Sequence, residues 1–324
     1  MSMEGFGEEF HDPRDFILGV TETIWERRGV HTLNRFYADD VVVRSPAGVV
    51  VGNQAVIAAT LATLAEFPDR QLLGEDVIWC SDDDGGFLSS HRILSTATHL
   101  GDGIYGAATG TRLKYRIIAD CAARDGQIYD EWLIRDQGAI VRLLGVDPKR
   151  YSAGQIEAEG GPGQSAQPFS LARDVAGRYR GVGNDDPEGV RYDELLSRIM
   201  AGDLAAIRTE YDRAAHLELP GGVTEHGWDG ADSFWLGLTS SFPSAQFTVH
   251  HRIGCREPDR PPRAALRWSL DGVHEGEGRF GAPTGADVHV MGISHCEFGP
   301  DGILREWVLI DDTAVWKQVL LHTG

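Results

Sequence analysis

Basic charge is scarce in this 324-residue chain, where 30 Lys and Arg stand against 49 Asp and Glu for a formal net charge of −19. That deficit excludes a phosphate-backbone reader, which needs a basic face, and disfavours adsorption to anionic lipid. No apolar run approaches the roughly 20 residues that span a bilayer. The opening stretch, MSMEGFGEEFHDPRDF, lacks the basic and apolar regions of a signal peptide, so a cytoplasmic protein with no nucleic-acid or membrane partner is expected. Cysteine is equally sparse. Four residues in a chain this long make no disulfide framework, and neither Cys80 nor Cys121 belongs to a CxxC pair, so both read as small buried thiols. Also missing are a glycine-rich phosphate loop behind a leading strand, a GxSxG elbow and a dinucleotide fingerprint. His289, His295 and Cys296 form no compact ligand motif and are not read as a metal site.

The chain does have a repeat. DGQIYDEWLIRD at 125–136 returns as DGILREWVLIDD at 301–312, and displacement by 175 positions aligns much more. His99 meets His274, Thr109-Gly110 meets Thr284-Gly285, and Cys121 meets Cys296. Glu131-Trp132 meets Glu306-Trp307, and Phe67-Pro68 meets Phe242-Pro243. Tyr37 and Pro46 match Tyr211 and Pro220 with the offset changed by one. Between residues 99 and 136 roughly a third of positions are identical without a gap, which marks a duplicated domain. The reading is domain 1 over 14–149, a Gly-, Pro-, Ser- and Gln-rich linker over 150–190, and domain 2 over 191–324.

Within each copy, helical spacing comes first and extended runs follow. DFILGVTETIWERRGVHTLNRFYA and NQAVIAATLATLAEF read as helices, the latter stopping at Pro68. LLGEDVIWCS, FLSSHRILSTATHL, TRLKYRIIADCA and IYDEWLIRD read as strands separated by Asp-Gly and Gly-Asp-Gly turns. This predicts an α+β domain, three N-terminal helices on one side of a curved, mainly antiparallel sheet, built twice.

That order of elements, with Tyr105-Gly106-x-x-Thr109-Gly110 leading a strand and HEGEGRFGAPTG at 274–285, resembles the SnoaL-like polyketide cyclases of the nuclear-transport-factor-2-like superfamily. The resemblance implies two tandem cones, each enclosing an apolar cavity, and an aspartate on the strand after Thr-Gly as general acid and base, without metal or cofactor. That strand carries Asp120 in one copy and His295 in the other, whereas the family spacing falls one residue earlier, on Ala119 and Ser294. Asp120 and His295 are therefore the catalytic candidates, with His99 and His274 at the strand end as catalytic or hydrogen-bonding groups.

For substrate contact the candidates are Arg92 and Arg267, which sit mid-strand and need a carboxylate partner or an acidic substrate, with Tyr115, Trp132, Trp307 and His289. Glu131 and Glu306 alternate to the face opposite the tryptophans and read as solvated or inter-domain. Arg112, Lys114 and Arg116 share the Asp120 face, against Asp287, His289 and Met291 in the second copy. A face of that kind is either a cavity wall or a charge-complementary seam within a pseudo-dimer, with a further homodimer open. The function implied is cofactor-independent acid–base chemistry, a cyclase, isomerase or dehydratase acting on a small apolar or aromatic carbonyl compound. The alternative is a small-molecule binding protein, and in a third case one copy only supports the other.

Overall fold

The computed structural model describes residues 3–82 and 84–324. Two compact units emerge: Met1–Arg135, Ala139–Val146 and Phe169–Gly181 form one, and Asp136–Gly138, Asp147–Pro168 and Val182–Gly324 form the other. The first unit begins with α1 (Pro13–Thr21), started by the Asp12 side chain accepting from the Asp15 N–H with Pro13 in the first turn, where a missing N–H costs nothing. A wider turn, Glu22–Glu26, carries the helix on to α2 (Leu33–Phe36). Then come β1 (Tyr37–Ser45), β2 (Gly48–Val51) and α3 (Asn53–Glu66), and finally the long strands β3 (Gln71–Ser81), β4 (Phe87–Thr98), β5 (Arg112–Arg124) and β6 (Gln127–Arg135).

These strands form one curved sheet in the order β2-β1-β6-β5-β4-β3, antiparallel except where β1 runs parallel to β6. After α4 (Gln137–Leu143) and α5 (Pro148–Ala158), the second unit repeats the plan with α6 (Pro187–Met200), α7 (Ala205–Glu210), β7 (Tyr211–Leu219), β8 (Val223–His226), α8 (Gly227–Ser241), β9 (Gln246–Cys255), β10 (Arg263–Val273), β11 (Asp287–Gly299), β12 (Gly302–Ile310) and α9 (Asp312–Thr323). Its order, β8-β7-β12-β11-β10-β9, is the same.

The duplication holds at the level of single residues. Cys121 lies opposite Glu131 as Cys296 lies opposite Glu306, and Asp120 opposite Trp132 as His295 opposite Trp307. The shared His and Thr-Gly motifs are explained by one clamp built twice. The backbone of His99 exchanges hydrogen bonds with Gly110 and Thr111 while its Nδ1 meets Thr109 Oγ1 at 3.1 Å. His274 does the same with Gly285, Ala286 and Thr284 Oγ1, the last at 3.0 Å. Gly110 and Gly285 take φ of +70° and +76°, the left-handed region that favours glycine. No helix among the described residues is long and apolar enough to cross a membrane.

The residues between the two repeats are divided between the units. In the second unit α5 packs on α9, with Ser152 Oγ donating to the Thr313 carbonyl at 2.8 Å and Lys317 paired with Glu159 at 2.8 Å. In the first unit residues 169–181 are held by a buried knot. Arg44, stacked 4.6 Å over the Trp132 ring, pairs with Asp130 at 2.8 Å and reaches Asp174, while Asp130 also accepts from the backbone N–H groups of Arg178 and Tyr179. Removing one partner of a buried pair strands the other charge. Asp130→Ala is expected to lower unfolding free energy by about 3–5 kcal/mol in urea titration and to expose residues 169–181 to limited proteolysis.

Candidate functional site

The first unit holds a partly open cavity of about 240 Å³ between α1, α3 and one face of the sheet. Which side chains reach it is decided by strand alternation. On β5 the odd positions Ile117, Ala119 and Cys121 line it, and on β6 the odd positions Glu131, Leu133 and Arg135 do so, joined by His91 and Ile93 of β4. Pairing puts them in rows across the sheet: Glu131 beside Cys121, Leu133 beside Ala119 beside His91, and Arg135 beside Ile117 beside Ile93. Ile17, Val20, Ile24, Leu33, Val56 and Leu72 supply apolar wall.

Glu131 marks one end. Its carboxyl is buried, and burial pushes it up to about 7, although a hydrogen bond from the Tyr37 hydroxyl opposes the rise. Tyr37 is raised in turn by its own burial and by the neighbouring Glu131, as is the Cys121 thiol. One row along, burial pulls His91 down to about 4, so the imidazole is neutral near pH 7. Its Nδ1 meets Ser89 Oγ at 3.3 Å, which leaves Nε2 for the cavity. The other end is cationic. Arg70 is 2% exposed, stacks 4.4 Å over Trp25 and donates from Nε to Ser95 Oγ at 3.2 Å. Burial brings its pKa down to about 10, which keeps it charged. Tyr115 lies beside it; burial raises that hydroxyl, but Arg70 and Arg135 outweigh the effect and hold it below the usual range.

Asp120, the catalytic candidate of the sequence reading, is on the opposite face of β5. Pairing with β4 runs unbroken from Arg112 to Ala123, and the β5–β6 irregularity lies beyond it, between Ala122 and Ala123, so no bulge turns Asp120 inward. It is buried there, away from the cavity lining. Alternation likewise turns Arg92, which pairs with Glu75 at 3.0 Å, and Trp132, stacked on Arg44, to the outer face. His99 clamps its loop, 3.4 Å from Glu66, and His274 clamps the equivalent loop. Tyr115 alone of the first unit's candidates faces inward. Glu131, which the sequence reads as solvated or inter-domain, lines the cavity instead, together with Tyr37, Arg70, His91 and Arg135, none of which the sequence singles out for the site.

In the second unit His295, Arg267, Trp307 and His289 also occupy the outer face, His289 pairing with Asp271 at 2.6 Å. Among the described residues, two tryptophans occupy the interior. Trp268 stands where the first unit has Ile93 and donates from Nε1 to Ser294 Oγ at 2.9 Å, while Trp235 stands where the first unit has Thr60. Both indoles are fully buried, 6.3 Å apart. Arg70, His91, Tyr115 and Arg135 are replaced by Ala245, Leu266, Val290 and Ile310. The Glu–Tyr pair persists: Glu306 accepts from Tyr192 and Tyr211, each at 2.8 Å, within the packed core.

The family described as SnoaL-like polyketide cyclase matches residues 16–144, and the SnoaL-like domain family matches residues 192–307. Solved structures with similarity include IdmH of Streptomyces antibioticus, a candidate polyketide cyclase, at 26% identity over 42% of this chain and 100% of that one, TM-score 0.37. AclR of Streptomyces galilaeus, a candidate hydroxylase, matches at 22% identity over 41% and 96%, TM-score 0.35. A SnoaL-like polyketide cyclase of Agrobacterium tumefaciens matches at 19% identity over 42% and 100%, TM-score 0.35. No curated protein matches the chain.

Glu306 offers a test of the packed interior. Burial raises it from 4.5 to about 7, so its neutral form is the one the fold favours. The stability linked to it is fully present below pH 4.5 and is lost as pH rises through about 7, a change on the order of 3 kcal/mol. Glu306→Gln removes that titration. Urea unfolding between pH 4.5 and 8 is expected to show a shallower loss of stability in the variant than in the parent.

Proposed function

Both halves of the chain belong to the SnoaL-like family, in tandem, and we propose that the first is a cofactor-independent acid–base enzyme acting on a small carbonyl compound while the second is a packed structural copy. Family membership supports a cyclase-type function. The observation that carries the finer reading is Glu131, a carboxyl poised near neutrality on the wall of an otherwise largely apolar cavity. A group whose pKa matches the working pH can both take and return a proton.

The steps follow from the rows of the sheet. A substrate lying along the cavity presents the carbon next to its carbonyl to Glu131, which removes a proton. Tyr37, hydrogen-bonded to that carboxylate, holds its orientation. His91, one row away and neutral, accepts from Ser89 Oγ at Nδ1 in this reading, which leaves its one N–H on Nε2 to donate to the carbonyl oxygen as negative charge develops there. Protonated Glu131 then returns the proton at a new position, which completes an isomerisation or follows a ring closure. The largely apolar wall limits the water that could quench the enolate.

The alternative, a binding protein with no turnover, is favoured by one observation: Ala119 stands where the resemblance to the cyclases implies an aspartate. Kinetics separate the two. Glu131→Gln is expected to reduce kcat by about 10²–10⁴-fold with little change in melting temperature, and Asp120→Asn to leave kcat within about twofold. Because the base must be ionised and its pKa is raised, kcat/KM rises with pH through about 7. Turnover by Glu131→Gln at the parent rate, or a flat pH profile, would remove the enzyme reading.

A further inference from the structure

We propose that the cavity of the first domain takes a substrate bearing a carboxylate, seated on Arg70 with Arg135 beside it, with the apolar body of the molecule extending toward Glu131. The inference rests on the cavity assigned above and adds the chemical class of its ligand.

Arg70 is a full positive charge only 2% exposed to solvent. Taking a guanidinium out of water costs several kcal/mol unless an anion compensates. Its contacts within the chain do not supply one. Nε donates to a neutral hydroxyl, the face of the ion rests on Trp25, and Nη1 is buried without a hydrogen-bond partner. No carboxylate of the described residues pairs with it. The Tyr115 hydroxyl lies close enough to interact with the guanidinium, but a phenol is not a carboxylate. The neighbouring Arg135 makes the charge harder to hold, since it adds a second cation within electrostatic reach on the same cavity wall. Arg70, sealed from solvent and paired with no carboxylate of the described residues, constitutes an anion site that Arg135 alongside makes more cationic.

The second domain provides an internal control. With the fold, register and Glu–Tyr pair all retained, its counterparts of Arg70 and Arg135 are Ala245 and Ile310, and Trp235 and Trp268 occupy its interior. The fold therefore has no need of either arginine. They are present where the cavity is present. The planar fork of a guanidinium matches a carboxylate in two parallel hydrogen bonds, and Nη1 is the free arm of such a fork. Arg135 lies two rows along β6 from Glu131, a strand distance of about 13 Å, so an acid anchored at this end places atoms several bonds away beside the proton shuttle.

The test compares 1-naphthoate with its neutral isostere 1-naphthamide on the full chain by titration calorimetry. The acid is expected to bind about tenfold or more tightly than the amide. Arg70→Met and, independently, Arg135→Ile are expected to erase that preference while melting as folded proteins. Equal affinity of acid and amide for the parent protein, or an undiminished preference in both arginine variants, would overturn the proposal, and the parent comparison decides it even if neither variant folds. Glu131→Gln separates this inference from the catalytic one, for it should keep the acid preference. Loss of turnover in Glu131→Gln with no acid preference in the parent refutes the carboxylate alone. Preference without any effect of Glu131→Gln on turnover refutes the proton shuttle alone.

Discussion

A β-strand delivers consecutive side chains to opposite faces of its sheet, and in this protein that two-residue period separates the chemistry from the scaffold. On β5 the inward series Tyr115, Ile117, Ala119, Cys121 alternates with an outward series Arg116, Ile118, Asp120. On β6 Glu131, Leu133 and Arg135 alternate with Asp130, Trp132 and Ile134. The two series answer different physical demands. Outward charges find partners, as Arg44 does with Asp130 and Arg92 with Glu75. Inward Glu131 and His91 are hydrogen-bonded to neutral hydroxyls, and their protonation is dominated by burial: Glu131 is pushed up, His91 down.

The two domains show what this interior costs. A void of about 240 Å³, if dry, would forfeit at most on the order of 6 kcal/mol of packing. The second domain avoids the loss with two buried indoles, one hydrogen-bonded to Ser294 and the other to the Tyr211 hydroxyl at 3.0 Å. It also discards every cationic and imidazole group of the first cavity. What both domains keep, the Glu–Tyr pair and the histidine clamp on the Thr-Gly turn, belongs to the architecture. What only the first keeps, Arg70, His91, Tyr115 and Arg135, has no architectural reason to remain.

Much of the fold was legible. Composition, helical spacing, the Asp-Gly turns and the offset of 175 residues together anticipated two α+β domains with matched registers, because hydrophobic period and turn chemistry are local properties of sequence. The site was less legible for two reasons. The resemblance to the cyclases implied an aspartate on β5, and the one that β5 carries, Asp120, lies one residue past the implied position at Ala119 and so on the opposite face. Glu131 was placed correctly relative to Trp132, on the opposite face, but which of the two faces was the interior depends on how the sheet curls over α1 and α3. A signal was nevertheless present: setting the copies against each other shows Arg70, His91 and Arg135 facing Ala245, Leu266 and Ile310, a cluster of polar-to-apolar exchanges that no surface requires.

Gly292 is where the second interior records its history. A Cβ at this position would lie 2.2 Å from the Trp268 ring, and the first domain holds Ile117 and Ile93 at the two equivalent places. Suppose one copy descended from the other's arrangement by single replacements. The combination of tryptophan with isoleucine would force a branched side chain into an indole, whereas isoleucine with glycine merely leaves space. The passable intermediate is therefore the roomy one, in either direction of descent. A lineage that filled its cavity first widened it, and one that opened a cavity first emptied it before rebuilding the wall.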